Sequence, residues 1–351
     1  MNRGIDLWPK REIRSTDGDR RGDGALAFRP VGRRSAGGRF RVMAVLALIG
    51  AAICSALGCS ESPPSVSAGD APISVLVTVA PLADLVRQVA GDKINVVTLI
   101  PAGREPETFA PKAAEIRNLT CCRLFFRIGL ASEEPLLPKL REICPDLTVV
   151  DLREGLPTLA DSHAAHEEHE EHDAHEAGEE CRCSTDGIDP HLWMSPLLAG
   201  KMAETITRNL EKIDPAHADV YRAGREGFAE RLAALQGEIH DRLKSLPNRT
   251  IYVFHPAYGY YCREFCLEQR AIESGGRAPK PKELAELSRQ MKAEKVERII
   301  VQPEFNRSAA DALAESLSVQ IAVHSPLEED YFRNLRRLTD LIAGEDRSVP
   351  E

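Results

Sequence analysis

AHADVYRAGREGFAERLAALQGEIHDRLKSL, residues 216–246, decides the architecture of this chain. Asp214-Pro215 restarts the backbone just before it and Pro247-Asn248 stops it. Between those punctuation marks Leu232, Leu235, Ile239 and Leu243 recur at helical spacing on one stripe, with charged residues elsewhere. One helix of roughly 30 residues, at ~1.5 Å per residue, is about 45 Å long, enough to run the length of a two-domain protein. The sequence on each side of it has a different character.

Outward in both directions, short apolar β-branched runs alternate with helical patterns. Before the long helix come strands at 73–79, 93–100, 123–128 and 147–152, with helices at 81–89, 112–119, 134–143 and 196–213. After it come strands at 250–254, 269–272, 296–301 and 319–323, with helices at 258–266, 282–293, 308–317 and 330–342. Strands that alternate with helices make a parallel sheet covered on both faces. The expected fold is therefore α/β: two parallel-sheet lobes, residues 73–213 and 247–343, joined by one long rigid helix over 214–246. In such sheets ligands bind beyond the carboxyl ends of the strands.

The chain has 351 residues, 43% of them hydrophobic, which is enough for real cores, and a net charge of −9. That charge is unevenly spread. Residues 1–42 hold 11 Lys/Arg against 5 Asp/Glu, a net of +6, which leaves −15 on the remainder. An acidic body argues against nucleic-acid binding and suits capture of cations. Arg33, Arg34, Arg39 and Arg41 precede an uncharged apolar run, Val42–Leu57, closed by Gly58-Cys59, the pattern of a secretory signal. Cys59 after Ala56-Leu57-Gly58 reads as a lipobox, with Ala56 where Leu is more usual. Simple cleaved secretion and an uncleaved anchor are the other readings. Residues 1–59 are thus an N-terminal extension and export signal, and 60–72, beginning SESPP, a flexible tether.

A second polar segment interrupts the first lobe at 157–188. His163, His166, His169, His172 and His175 fall every third residue, and nine acidic residues but no Lys or Arg lie between Asp161 and Glu180. This run has almost nothing apolar to bury, so it is a loop, and it offers many metal-ligating groups. Cys181 and Cys183 follow. With Cys121, Cys122, Cys144, Cys262 and Cys266 they make seven cysteines outside the signal, an odd number whose pairing the sequence leaves open.

Three residues stand where two lobes would present ligands to a cleft. Glu107 lies in PAGREPETF (101–109), directly after a predicted strand; His255 directly follows another; His191 sits in DPHLW (189–193), which leads into a helix. Alone, each reads as an ordinary loop residue. Together they are two imidazoles and a carboxylate, a set suited to a divalent transition metal. Pro106, Pro190 and Pro256 stiffen the three loops, and Trp193 gives His191 an apolar wall.

The stretches GREPETFAP (103–111), RIGLASEEPLL (127–137), DPHLWMSP (189–196), FHPAYGYY (254–261), VQPEFNRSAADALA (301–314) and HSPLEEDYFRNL (324–335) resemble the zinc/manganese solute-binding proteins of metal ABC importers, the family of periplasmic zinc-binding and treponemal or streptococcal metal-binding lipoproteins. The resemblance runs from about residue 73 to 342. It implies a receptor, not an enzyme, that binds Zn²⁺, with Mn²⁺ as the alternative, and hands it to an ABC permease driven by its ATPase. It also implies a monomer held at the membrane by a lipid on Cys59. His191 and His255 match two of the family's histidine ligands. Glu107 stands where the family usually has histidine, and Ser325 where it often has aspartate. The fourth ligand is therefore open: Asp330 is the first choice, with His324 or a water as the alternatives. The five-histidine loop becomes an accessory metal collector. A metal-buffering surface adhesin and a zinc hydrolase remain as rival readings, the latter without any HExxH-type arrangement in the chain.

Overall fold

Among the described residues two four-stranded sheets, each wholly parallel and each in the same strand order, form two lobes. This is a computed structural model, and it describes residues 72–112, 116, 122–160, 187–273 and 279–345. The export signal with Cys59, the tether, the five loop histidines, Cys121, Cys181 and Cys183 lie outside the described residues, as does most of the helix expected at 112–119.

The first half contains β1 (Ile73–Val77), α1 (Ala80–Ala90), β2 (Ile94–Thr98), β3 (Leu124–Arg127), α2 (Leu137–Ile143) and β4 (Thr148–Asp151), ordered β2-β1-β3-β4 in the sheet. Then come α3 (Pro196–Ile213) and α4 (Ala218–Leu243). The second half contains β5 (Thr250–Val253), α5 (Gly259–Glu264), β6 (Glu268–Ala271), α6 (Pro281–Ala293), β7 (Arg298–Val301), α7 (Ser308–Leu317), β8 (Gln320–Val323) and α8 (Tyr331–Ala343), ordered β6-β5-β7-β8. The predicted elements all form wherever the chain is described, with ends moved by a few residues. Among the described residues Cys262 and Cys266 form no disulfide, and no helix is long and apolar enough to cross a membrane.

The long helix is α4, 26 residues or about 39 Å at ~1.5 Å per residue. It is shorter than the sequence pattern suggests because Pro215–His217 form a 3₁₀ turn ahead of it. Its predicted stripe, Leu232, Leu235, Ile239 and Leu243, is buried, joined by Tyr221 and Phe228. α3 runs antiparallel to α4: Glu211 pairs with Arg222 at 3.1 Å while Gly200 faces Leu232. At the other lobe Phe228 meets Phe332 of α8 edge-on, ring centroids 5.6 Å apart. One apolar core therefore continues from the first sheet through α4 into one face of the second sheet. The other face of that sheet has its own cluster, and successive residues of β7 alternate between the two: Ile299 and Val301 in the separate cluster, Ile300 in the shared core. The shared core makes α4 a rigid spine.

Gly224 is what lets that spine sit so close. A Cβ there would lie 2.2 Å from the Val89 carbonyl oxygen of α1, a backbone atom that cannot swing aside. Gly224→Ala should destabilise the fold by about 1–3 kcal/mol through this overpacking, read as a lower melting temperature; an unchanged melting temperature would mean that the helices can separate freely.

Candidate metal centre

The strand ends bring the candidates together. β2 ends at Thr98, and the chain turns through residues 101–104 before presenting Glu107. Ser132, in the loop after β3, donates its hydroxyl to the Pro106 carbonyl at 3.0 Å and ties that turn down. β5 ends at Val253 and His255 follows two residues later. His191 lies just before the 3₁₀ turn Leu192–Met194 that leads into α3. One ligand atom from each of Glu107, His191 and His255 falls within 4.8 Å of the others, and all three residues are buried, at 9%, 6% and 1% exposure. These three are the sequence-predicted residues that the fold assembles, and among the described residues theirs is the group of His, Cys, Asp and Glu with spacing fit for a metal.

Each imidazole is held by a carboxylate behind it. Asp189 Oδ1 lies 2.8 Å from His191 Nδ1 and also accepts the His191 backbone N–H at 2.9 Å. Glu273, immediately beyond β6, takes His255 Nδ1 at 2.5 Å. Both Nδ1 atoms are thereby engaged, which makes Nε2 the atom each ring could offer a metal, a carboxylate–histidine arrangement that orients the ring and raises ligand basicity. The Gln302 side chain brackets His255 by accepting its N–H and donating to its C=O, at 3.0 and 2.9 Å. Phe305 stacks flat on the ring at 4.2 Å. The Trp193 wall is present too, 5.2 Å from His191 between ring centroids, and its Nε1–H donates to the Pro326 carbonyl at 2.9 Å.

The electrostatics follow from burial. His255 Nε2 lies 2.9 Å from Glu107 Oε1. Burial by itself disfavours the imidazolium, but Glu107 and Glu273 on either side outweigh it and raise the pKa to about 10. Glu105 is pushed up, first by burial and then by the nearby charges of Glu107 and Glu273, so it too belongs to this acidic neighbourhood.

The two fourth-ligand candidates do not join the cluster. Asp330 is exposed and caps α8, accepting the Arg333 N–H at 3.1 Å. His324 is buried with both ring nitrogens engaged elsewhere: Nε2 donates to the Asn334 carbonyl at 3.1 Å and Nδ1 faces the Tyr258 hydroxyl at 3.0 Å. Burial, with Arg337 adding to it, lowers its pKa to about 4. Ser325 bonds to Glu304 instead of facing the trio. Sequence reasoning passed over Glu273, Gln302 and Asp189 as supporting residues. Glu273 and Gln302 each follow directly on a strand end, the positional signal that had picked out His255, but neither belongs to a histidine motif.

The family model described as "ZnuA: Zinc-uptake complex component A periplasmic" matches residues 75–344. The chain belongs to this family. A "Putative metal-binding protein" of Treponema pallidum is 28% identical over 289 residues, 82% of this chain and 89% of that one. The "Zinc-binding lipoprotein AdcA" of Streptococcus pneumoniae is 27% identical over 290 residues, 82% of this chain but 56% of its own length, so this chain spans little more than half of that relative. A crystal structure of ZnuA superimposes with a TM-score of 0.69 at 27% identity, covering 78% of this chain and 99% of that one. The protein is accordingly an extracytoplasmic metal-binding receptor of the ABC-importer type and not an enzyme.

Glu273→Gln keeps the shape but removes the charge behind His255, and should weaken divalent-metal affinity by about 10–100-fold; calorimetric affinity equal to wild type would remove Glu273 from the site. His324 titrates with a depressed folded-state pKa, so the stability it confers is complete above pH ~6.5 and is lost as pH falls toward 4. Across that window it contributes up to about 3 kcal/mol, and His324→Gln should flatten the fall in melting temperature between pH 6.5 and 4 relative to wild type. Parallel pH profiles for the two proteins would contradict this.

Proposed function

We propose that this protein captures a single divalent transition metal, Zn²⁺ before Mn²⁺, through Glu107, His191 and His255, and delivers it to a membrane permease powered by a separate ATPase. The observation that carries the reading is the convergence of these three buried ligand atoms to within 4.8 Å from loops of both lobes. Two imidazole nitrogens and one carboxylate oxygen suit tetrahedral Zn²⁺, with one position left for water or a further oxygen. Mn²⁺ favours sites richer in oxygen. Two buried carboxylates face His255, so a divalent ion neutralises the site more completely than the proton it displaces.

The chain is exported and tethered by lipid at Cys59 as a monomer; the basic residues before Val42–Leu57 and the Gly58-Cys59 end of that run support this. The five-histidine run collects metal at low affinity and is dispensable for tight binding. Calorimetry tests both assignments. Wild type should bind one tight Zn²⁺, His191→Ala or His255→Ala should lose tight binding, and deletion of residues 161–183 should keep it. A deletion that abolished nearly all binding would favour a metal-buffering protein instead. Because protons compete for the same nitrogens, affinity should fall by about tenfold per pH unit for each proton displaced as pH is lowered from 7.5 to 5.5; a flat profile would argue against imidazole ligation.

A further inference from the structure

Helix α5 carries a connection that neither the strand-end rule nor the ligand set accounts for. It begins four residues after His255, and three of its six residues reach across to the segment that bears His191. Gly259 lies against the Asp189 carboxylate, where a Cβ would sit 3.0 Å from Oδ2. The Tyr260 hydroxyl donates to the Asp189 carbonyl at 2.8 Å and accepts the Leu159 N–H at 3.0 Å. Glu264 reaches the far end of the same segment. It accepts the Ser195 hydroxyl and the Leu197 N–H, the latter at 3.2 Å, at the amino end of α3. Its other oxygen takes the Gln236 side-chain amide of α4 at 2.7 Å. His191 is thus bracketed, Asp189 on one side and Ser195–Leu197 on the other, by a single short helix continuous with His255.

We propose that Tyr260 and Glu264 are positioning residues that lock His191 and His255 together as a preassembled pair across the lobe boundary. The two imidazoles stand 5.4 Å apart between ring centroids, and protein bonds hold the segment on each side of that spacing. His255 is anchored to Gln302 and Glu273, α5 extends from it, and Tyr260 and Glu264 hold the two flanks of His191. Glu264 is largely buried, and burial raises its pKa ahead of the opposing bonds from Ser195, Gln236 and Leu197. A largely buried carboxyl group that ties its own helix α5 to the amino end of α3 and to α4 serves the joint between them. Preassembly removes the ordering cost that flexible ligands would incur on binding.

The proposal rests on His191 and His255 as the ligands, and the test separates the two ideas. Zn²⁺ calorimetry and the visible spectrum of the Co²⁺ form would be measured for wild type, Tyr260→Phe, Glu264→Gln and the double variant. Leu313→Ala, in the separate core of the second lobe, serves as a control of lowered stability. Tyr260→Phe and Glu264→Gln should each weaken Zn²⁺ by on the order of tenfold and change the Co²⁺ spectrum, which reports coordination geometry. Leu313→Ala should lower the melting temperature and leave both metal readouts unchanged. If the double variant does not fold, Tyr260→Phe alone, which loses one hydroxyl, decides. Wild-type affinity and spectrum in the variants, or losses matched by Leu313→Ala, overturn the positioning role while leaving the receptor reading intact. A wild-type chain without tight Zn²⁺ overturns both.

Discussion

The interaction on which the rest turns is His255 buried between two carboxylates, Glu273 at 2.5 Å on one ring nitrogen and Glu107 at 2.9 Å on the other. Withdrawing three ionisable groups from water carries a large desolvation penalty, which mutual attraction offsets only when the geometry is good. An ordinary core would not keep such a cluster. Here the carboxylates come from different lobes, Glu107 after β2 and Glu273 after β6, so the cluster also requires the lobes to hold one relation to each other.

That requirement explains the investment in rigidity elsewhere. A single apolar core runs through α4 into both sheets, and Gly224 allows α1 and α4 to meet at backbone contact. Trp193 reaches from the His191 segment to the Pro326 carbonyl, and α5 reaches back to the same segment. Buried polar bonds of this kind add modest net stability but penalise every misaligned arrangement, because each broken bond strands a polar group away from water. The outcome is a candidate metal site whose side chains are fixed by scaffold more than by loops.

The supporting carboxylates divide the labour. Asp189 and Glu273 turn their histidines so that Nε2 faces the site; Glu107 faces it directly. Glu133 does comparable work one layer out. It is fully buried, accepts the backbone N–H groups of Ile128 and Gly129 at 3.0 and 2.8 Å, and pairs with Arg127 at 3.1 Å. It therefore shapes the loop whose Ser132 holds the Glu107 turn. Tight sites built at strand ends need this second layer, because a loop fixes a side chain only as well as its own backbone is fixed.

The sequence alone determined the lobed α/β layout, the spine helix and the three converging candidate residues, because period and punctuation are local properties: strands alternate by two, helices by 3.6, and Pro215 and Pro247 bracket α4. Glu107, His191 and His255 were legible because each follows a strand or opens a helix in a short motif with proline. What lay beyond local pattern was decided by tertiary structure. Asp330 looked available to a metal until the fold spent it on the amino end of α8, and His324 until burial enclosed it between Tyr258 and Asn334. Glu273, Gln302, Tyr260 and Glu264 carry no motif of their own. Their roles come from contacts with residues 18, 47, 71 and 69 positions away in the chain, and such pairings are set by how two sheets pack on one helix, a relation that no local periodicity encodes.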